Sequence, residues 1–312
     1  MIRQPVRVGS RGSKLALTQA ETIRAAIAYA LGADDAAVLV RITTSGDRIQ
    51  DRTLTEIGGK GLFTKEIEEA LADGRIDCAV HSLKDMPTEM PPGLAIAAIP
   101  HREDPRDAFL SRRYESFDAL PHGAVLGTAS LRRQAQALRR RPDLVILPLR
   151  GNVDTRLAKL ERGDADGMIL AAAGLNRLGL GELARDLIDP ELAPPAPGQG
   201  ALAVQTRVDD RHAPWLAGLG HRATLLATAA ERGALAALDG SCRTAIGAWA
   251  RIDGERLILT VEALSPEGAQ SFRDQAAMFL AGDDDEDRAR DLGQGLGEAI
   301  RVRAGPALTE GH

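Results

Sequence analysis

Short apolar runs that stop abruptly in Gly, Ser or charged residues alternate along this chain with stretches whose apolar residues recur every three or four positions. That alternation predicts strands leading into helices, the order of an α/β sheet. Val6-Arg7-Val8 predicts a first strand, which breaks into Gly9-Ser10-Arg11-Gly12-Ser13. Behind Ser13 as N-cap, Ala16, Ala20, Ile23 and Ile27 share one helix face. The break is a natural anion site with Arg11 beside it, although it matches neither a P-loop nor a dinucleotide fingerprint. Residues 38–43 predict a second strand, and the charged residues 46–61, closing with Gly58-Gly59-Lys60-Gly61, predict a long loop that suits a lid and a plain surface insertion equally well. Phe63, Ile67, Ala70 and Leu71 then line the apolar face of a helix.

The stretch that follows, from Asp77 to Pro87, organises the rest. Cys78, Ala79 and Val80 suit a strand buried on both faces, whereas Lys84 and Asp85 are costly to bury unpaired, and Pro87 favours leaving the sheet. Ligands of open α/β sheets bind just beyond the carboxyl ends of the strands. Asp85 is therefore the candidate reactive carboxylate, although the same residues taken alone also suit a solvated ion pair.

Pro91, Pro92, Pro100 and Pro105 punctuate a crossover, after which one pattern recurs. Residues 124–128 predict a strand breaking into Ala129-Ser130-Leu131-Arg132-Arg133; residues 145–149 break into Arg150-Gly151-Asn152; residues 168–172 break into Ala173-Gly174-Leu175-Asn176-Arg177. If these strands are parallel, the junctions present arginines at one sheet edge, with Arg156 a turn into the second helix. Any one of them also reads as a solvated helix start, but several together suit a ligand with several anionic groups. Residues 194–200 are dense in Pro and Gly and read as a hinge. A returning strand over 201–205, an Ala/Leu-rich helix over 223–238 and antiparallel strands over 244–252, 256–263 and 271–278 complete the chain, with the acidic run Asp283 to Glu286 opening a last helix.

At 312 residues two or three domains are expected. Aromatics are only 3% of the chain, too few for a single-stranded nucleic-acid platform, and the net charge of −5 gives no general attraction to polyanions. The two cysteines, Cys78 and Cys242, lie in no zinc-like spacing, so no metal is expected and a reduced compartment is the simpler reading. Met1 to Val8 holds no apolar signal core, and no run approaches membrane-spanning length, so the expectation is a cytoplasmic protein.

Gly58-Gly59-Lys60-Gly61-Leu62-Phe63, Val80-His81-Ser82-Leu83-Lys84-Asp85, Arg102-Glu103-Asp104-Pro105-Arg106-Asp107, Ser130-Leu131-Arg132-Arg133, Leu149-Arg150-Gly151-Asn152, Pro197-Gly198-Gln199-Gly200 and Gly240-Ser241-Cys242 occur in that order over nearly the whole chain. Together they resemble the porphobilinogen deaminase (hydroxymethylbilane synthase) family. The resemblance implies two α/β domains shaped like periplasmic binding proteins with a central cleft, spanning 1–100 plus 200–218 and 104–195, and a small C-terminal α+β domain over 222–312.

It also implies a transferase that adds four porphobilinogen molecules in turn, with loss of ammonia, to a dipyrromethane cofactor on Cys242, and then releases hydroxymethylbilane with water. By the same resemblance Asp85 is catalytic. Lys84, Ser82, Thr128, Ser130, Arg132, Arg133, Arg150, Asn152 and Gln199 hold the cofactor. Arg11, Ser13, Arg150, Arg156 and Arg177 bind substrate, and Lys60 and Phe63 belong to a mobile loop. The chain departs from the family pattern at Ala129, where a second Ser is usual, and at Ala245, where Pro is usual. Read locally, Cys242 is a lone loop thiol that suits an inert role better than a reactive one, although its neighbour Arg243 could favour the thiolate.

The enzyme is expected to act as a monomer on a small molecule, with no nucleic-acid or membrane partner. Two other readings are a non-catalytic solute-binding protein for a polycarboxylate, since fold does not fix function, and a nucleic-acid regulator using Arg132-Arg133 and Arg139-Arg140-Arg141.

Overall fold

In the computed structural model, residues 4–44, 64–238 and 245–308 are described. The expected loop over 46–61, Lys60, Phe63 and Cys242 lie outside them. In chain order the strands and helices begin with β1 (Val6–Arg11), α1 (Lys14–Leu31), β2 (Ala37–Ile42), α2 (Lys65–Ala72), β3 (Cys78–Ser82) and β4 (Leu94–Ala98). There follow β5 (Asp107–Leu110), β6 (Val125–Gly127), α3 (Leu131–Arg140), β7 (Val145–Leu147), α4 (Val153–Glu161), β8 (Gly167–Ala171), α5 (Ala172–Arg177) and β9 (Asp186–Ile188). The last are β10 (Leu202–Arg207), α6 (Arg222–Ala237), β11 (Ala245–Asp253), β12 (Arg256–Leu264), β13 (Ser271–Phe279) and α7 (Asp285–Ala304).

The chain divides into two compact units, Met1–Glu103 with Ala201–Leu225, and Asp104–Gly200 with Leu226–His312. The first is built on a five-stranded sheet of order β2-β1-β3-β10-β4, in which β2, β1 and β3 are parallel and β10 runs against its neighbours. The apolar face of α1 supplies Ala20, Ile23, Ile27 and Ala28 to a core with Val6, Val8, Cys78, Val80 and Val204. Ser13 accepts the Ala16 N–H at 3.3 Å and starts α1, as its sequence predicts. Gly9 does not end β1: the strand runs on to Arg11 alongside β2. A Cβ on Gly9 would collide with Ile76, so glycine serves close packing there rather than a turn.

In the second unit a five-stranded sheet of order β7-β6-β8-β5-β9 repeats the scheme, with three parallel strands and then the reversed β5. A three-stranded antiparallel sheet, β11-β12-β13, is covered by α6 and α7 through Leu226, Ala230, Ala234, Leu259, Val261, Leu296 and Ile300. The α/β class and the small α+β portion are those expected. Strands β4, β5 and β9 were not foreseen, because prolines flank Leu94–Ala98 and Asp107–Leu110 and because β9 is only three residues long.

The expected hinge over 194–200 ends where the two units divide, after Gly200, and within it Pro194, Pro195, Pro197, Gly198, Gln199 and Gly200 are all buried. Proline removes donors but leaves carbonyls that other groups can bind, so composition alone did not distinguish a hinge from a fixed strap. Among the described residues no helix is long and apolar enough to cross a membrane.

Candidate active site

In the first unit, β3 carries Cys78–Ser82 through the sheet and ends in a 3-10 turn over Leu83–Asp85. The turn is pinned from below by buried Leu83, whose N–H donates to the Ala201 carbonyl at 3.0 Å. Asp85 is thereby held at the carboxyl end of β3 with its side chain exposed, and among the described residues no hydrogen bond or ion pair engages its carboxylate. Arg11 ends β1, the parallel neighbour of β3, so both residues stand at the same edge of one sheet.

Beneath them, Ser82 Oγ accepts from Gln19 Nε2 at 3.0 Å, and buried His81 pairs with Gln205 Oε1 at 3.0 Å across to β10. Burial, with the Arg11 charge adding to it, pushes the His81 imidazole down to about 4 against the hydrogen bond to Gln205. His81 is thus neutral near pH 7 and ties two strands below the turn. Cys78, also buried, has its thiol pushed far above the ordinary thiol range, first by burial and then by Asp77, and is inert.

In the second unit, β6, β7 and β8 are parallel, so the three strand-to-helix junctions share one edge. Ser130 caps α3 by accepting the Arg133 N–H at 3.4 Å, and Asn152 caps α4 by accepting the Thr155 N–H at 2.9 Å. Thr128 is buried and accepts the Ser130 N–H at 3.2 Å. These polar residues therefore have local work at the junctions where the sequence placed ligand contacts.

Arg132 and Arg133 are only 4% and 7% exposed, and both close on Asp107 at the start of β5. Arg132 Nη1 donates to Asp107 Oδ2 at 2.8 Å and to Gln136 Oε1 at 2.9 Å. Arg133 donates through Nη2 and Nε to Asp107 Oδ1, through Nη1 to the Ile169 carbonyl and through Nη2 to Gln199 Oε1. Gln199, with no exposed surface, donates to Asp107 Oδ1 and to the Pro105 carbonyl, both at 2.8 Å. Burial alone would raise the Asp107 carboxyl, but the Arg132 and Arg133 charges outweigh it and hold the group far below the usual carboxylate range.

Sequence reasoning named both arginines and Gln199 and missed Asp107 and its part in holding them. The signal was present as the closing residue of Arg102-Glu103-Asp104-Pro105-Arg106-Asp107.

Arg156 is placed differently. Its Nε donates to the Gly151 carbonyl at 2.9 Å, and among the described residues no carboxylate pairs with it. Its pKa is lowered, first by burial and then by the Arg133 charge. Arg150, at the same junction, and Arg177, the last residue of α5, are half-buried, and Arg177 Nη2 donates to the Gly200 carbonyl at 2.7 Å.

Among the described residues one carboxylate, Asp107, is shared by two buried guanidinium groups, and the buried Arg132 Nε has no hydrogen-bond partner. Both features suit a ligand bearing carboxylates, as a dipyrromethane with acetate and propionate arms does. The arginines of the rival nucleic-acid reading are paired with acids instead, Arg139 with Glu262, Arg140 with Asp118 and Arg141 with Asp143.

Residues 6–214 match the family model described as "Porphobilinogen deaminase, dipyromethane cofactor binding domain", and residues 225–301 match "Porphobilinogen deaminase, C-terminal domain". A curated porphobilinogen deaminase of Caulobacter sp. (strain K31) is 63% identical over 314 residues, covering 99% of each chain. One of Phenylobacterium zucineum (strain HLK1) is 61% identical over 318 residues, again covering 99% of each. Among solved structures, a nutrient binding protein from Burkholderia cenocepacia bound to methionine aligns with a TM-score of 0.42 at 14% identity, covering 68% of this chain and 88% of that one. With both family models matched in order and relatives above 60% identical along the full length, this chain belongs to the porphobilinogen deaminase family.

Proposed function

We propose that the chain is a hydroxymethylbilane synthase in which Asp85 is the catalytic carboxylate and the junction arginines bind the acetate and propionate groups of porphobilinogen and of the growing chain. The observation that carries this reading is the exposed carboxylate of Asp85, unpaired among the described residues and fixed at a strand end, in a chain that buries Arg132 and Arg133 on one shared carboxylate. When bound, the dipyrromethane supplies the pyrrole carbon to which four substrate units are added in turn.

Asp85 acts on what the substrate must lose. Departure of ammonia breaks the aminomethyl C–N bond and leaves positive charge on the pyrrole, and a carboxylate facing that charge stabilises it. At about 4 Å and an effective dielectric near 20 the interaction is about 4 kcal/mol, or roughly a thousandfold in rate if expressed only in the transition state. The same carboxylate is placed to carry the proton exchanged with the amine, where position matters more than basicity.

Arg156 is the leading carboxylate ligand, since among the described residues no acid side chain pairs with it. Arg11, Arg150 and Arg177 are assigned the same work, with Lys84, Ser13, Ser82, Thr128, Ser130 and Asn152 as polar support. Arg132 and Arg133, with Asp107 and Gln199 behind them, form a fixed cationic floor. Cys242 is assigned the covalent attachment, Lys60 and Phe63 the moving loop, and the chain is read as a cytoplasmic monomer of three domains built on the three sheets.

The deciding experiment compares the intact mass of the purified chain with that of Cys242→Ser, and follows ammonia release from porphobilinogen. The expected result is an excess equal to two linked pyrroles in the wild type alone, with ammonia released. A wild type that stays unmodified and releases none would return the chain to the solute-binding reading.

A further inference from the structure

Glu231 lies in α6 with none of its surface exposed. A carboxylate is retained in such a place only when its oxygens are hydrogen-bonded. Its Oε2 accepts the Gly198 N–H at 2.7 Å and its Oε1 accepts the Ala250 N–H at 2.9 Å. The first bond reaches the strap over 194–200 and the second reaches β11. Because α6 leads into residues 239–244 and β11 leads out of them, one carboxylate ties the strap to both elements that flank the segment holding Cys242.

The strap itself is held at nearly every step. Arg132 Nη1 and Gln136 Nε2 donate to the Pro194 carbonyl, and the Ala248 N–H donates to the Pro195 carbonyl at 2.9 Å. Gly198 and Gly200 adopt φ of 74° and 87°, which side-chain-bearing residues rarely do, so the turn has one defined course. Between them Gln199 is directed onto Asp107, the anion that orients Arg132 and Arg133. Glu231 grips the amide immediately before Gln199, and a charged acceptor makes this a strong anchor.

We propose that Glu231 is a positioning residue: by fixing the Gly198 N–H it aims Gln199 at Asp107 and so sets the buried arginine pair for carboxylate binding. The inference rests on the reading of those arginines as part of the binding floor.

The test uses the full-length wild type, Glu231→Gln, Gln199→Ala and the double variant, each measured for two-pyrrole mass content, thermal midpoint, and kcat and KM for porphobilinogen. The Glu231→Gln substitution keeps the shape of the side chain but turns an NH2 toward one of the two N–H donors. The expected result is a folded Glu231→Gln enzyme with KM raised about tenfold and kcat changed by less than about threefold. The double variant should be no worse than the worse single one, because both break the same chain of contacts.

Losses that multiply in the double variant, or a lowered midpoint with KM unchanged, would overturn the proposal. Should Glu231→Gln not accumulate folded, Glu231→Asp keeps both acceptors one methylene short; a raised KM supports the proposal and an unchanged KM overturns it. A wild type without the two-pyrrole mass and without ammonia release overturns the functional reading and this inference together. An active wild type with indistinguishable Glu231 variants overturns this inference alone.

Discussion

Asp107 Oδ1 receives Arg133 Nη2 at 2.7 Å and Nε at 3.1 Å, a two-donor grip inside the protein, while Arg132 holds the other oxygen at 2.8 Å. The anion is what makes two adjacent buried guanidinium groups tolerable, since removing one partner of a buried ion cluster leaves uncompensated charge. Asp107→Asn keeps the shape and deletes the charge. It should cost about 3–5 kcal/mol in urea unfolding at neutral pH. A loss below about 1 kcal/mol would mean that the arginines do not depend on this carboxylate.

Asp85 stands at the opposite extreme. It is exposed and, among the described residues, unpaired, so Asp85→Asn should leave unfolding free energy within about 0.5 kcal/mol of the wild type. Its kcat should nevertheless fall by roughly three powers of ten, the share assigned above to a facing charge. Asp85→Glu, which retains the charge and displaces it, should fall between the two. An Asp85→Asn enzyme with near-normal kcat would remove Asp85 from the chemistry.

His81 gives the first unit a pH dependence of defined sign. Its folded value is about 4 against an ordinary 6.5, so between those limits the unfolded chain binds a proton there and the folded chain does not. Stability from this group is full above pH 6.5 and is lost as pH falls toward 4, by about 3 kcal/mol in all. His81→Gln cannot titrate, so the difference in unfolding free energy between about pH 7 and about pH 4.5 should shrink by most of that amount relative to the wild type. Equal slopes for the two proteins would show that His81 is protonated in the folded state.

Much of this was legible because local patterns and tertiary structure agree. Ser13 reads as a helix start and caps α1, and the break after Ser82 does carry Asp85 to a strand end. Three arginine-bearing junctions were visible because a strand followed by a helix repeats in the sequence. What escaped was long-range pairing. Asp107 lies 25 and 26 residues from its arginines and 92 from Gln199, and the motif that it closes does not say which residues it pairs with. Glu231 sat unnoticed in an Ala-rich helix for the same reason. The contacts of 194–200 escaped too, since a segment poor in donors still offers carbonyls to Arg132, Gln136 and Ala248.

The α6–α7 contact supplies a stability test independent of the site. A Cβ on Gly293 would fall inside the van der Waals envelope of the Ala230 carbonyl, and one on Gly233 would meet the Arg290 carbonyl, so the two helix backbones touch where glycine permits it. Backbone cannot give way as a flexible side chain can, and Gly293→Ala must push the helices apart, at a cost of about 1–3 kcal/mol from overpacking. Gly295, two residues on in the same helix, is exposed with nothing within 4 Å of where its Cβ would lie. There alanine relieves the helix of glycine's backbone entropy, and Gly295→Ala should stabilise by about 0.5–1 kcal/mol. Urea unfolding of the two variants side by side checks the sign of each. A stabilising Gly293→Ala would mean that α6 and α7 are not in backbone contact in solution.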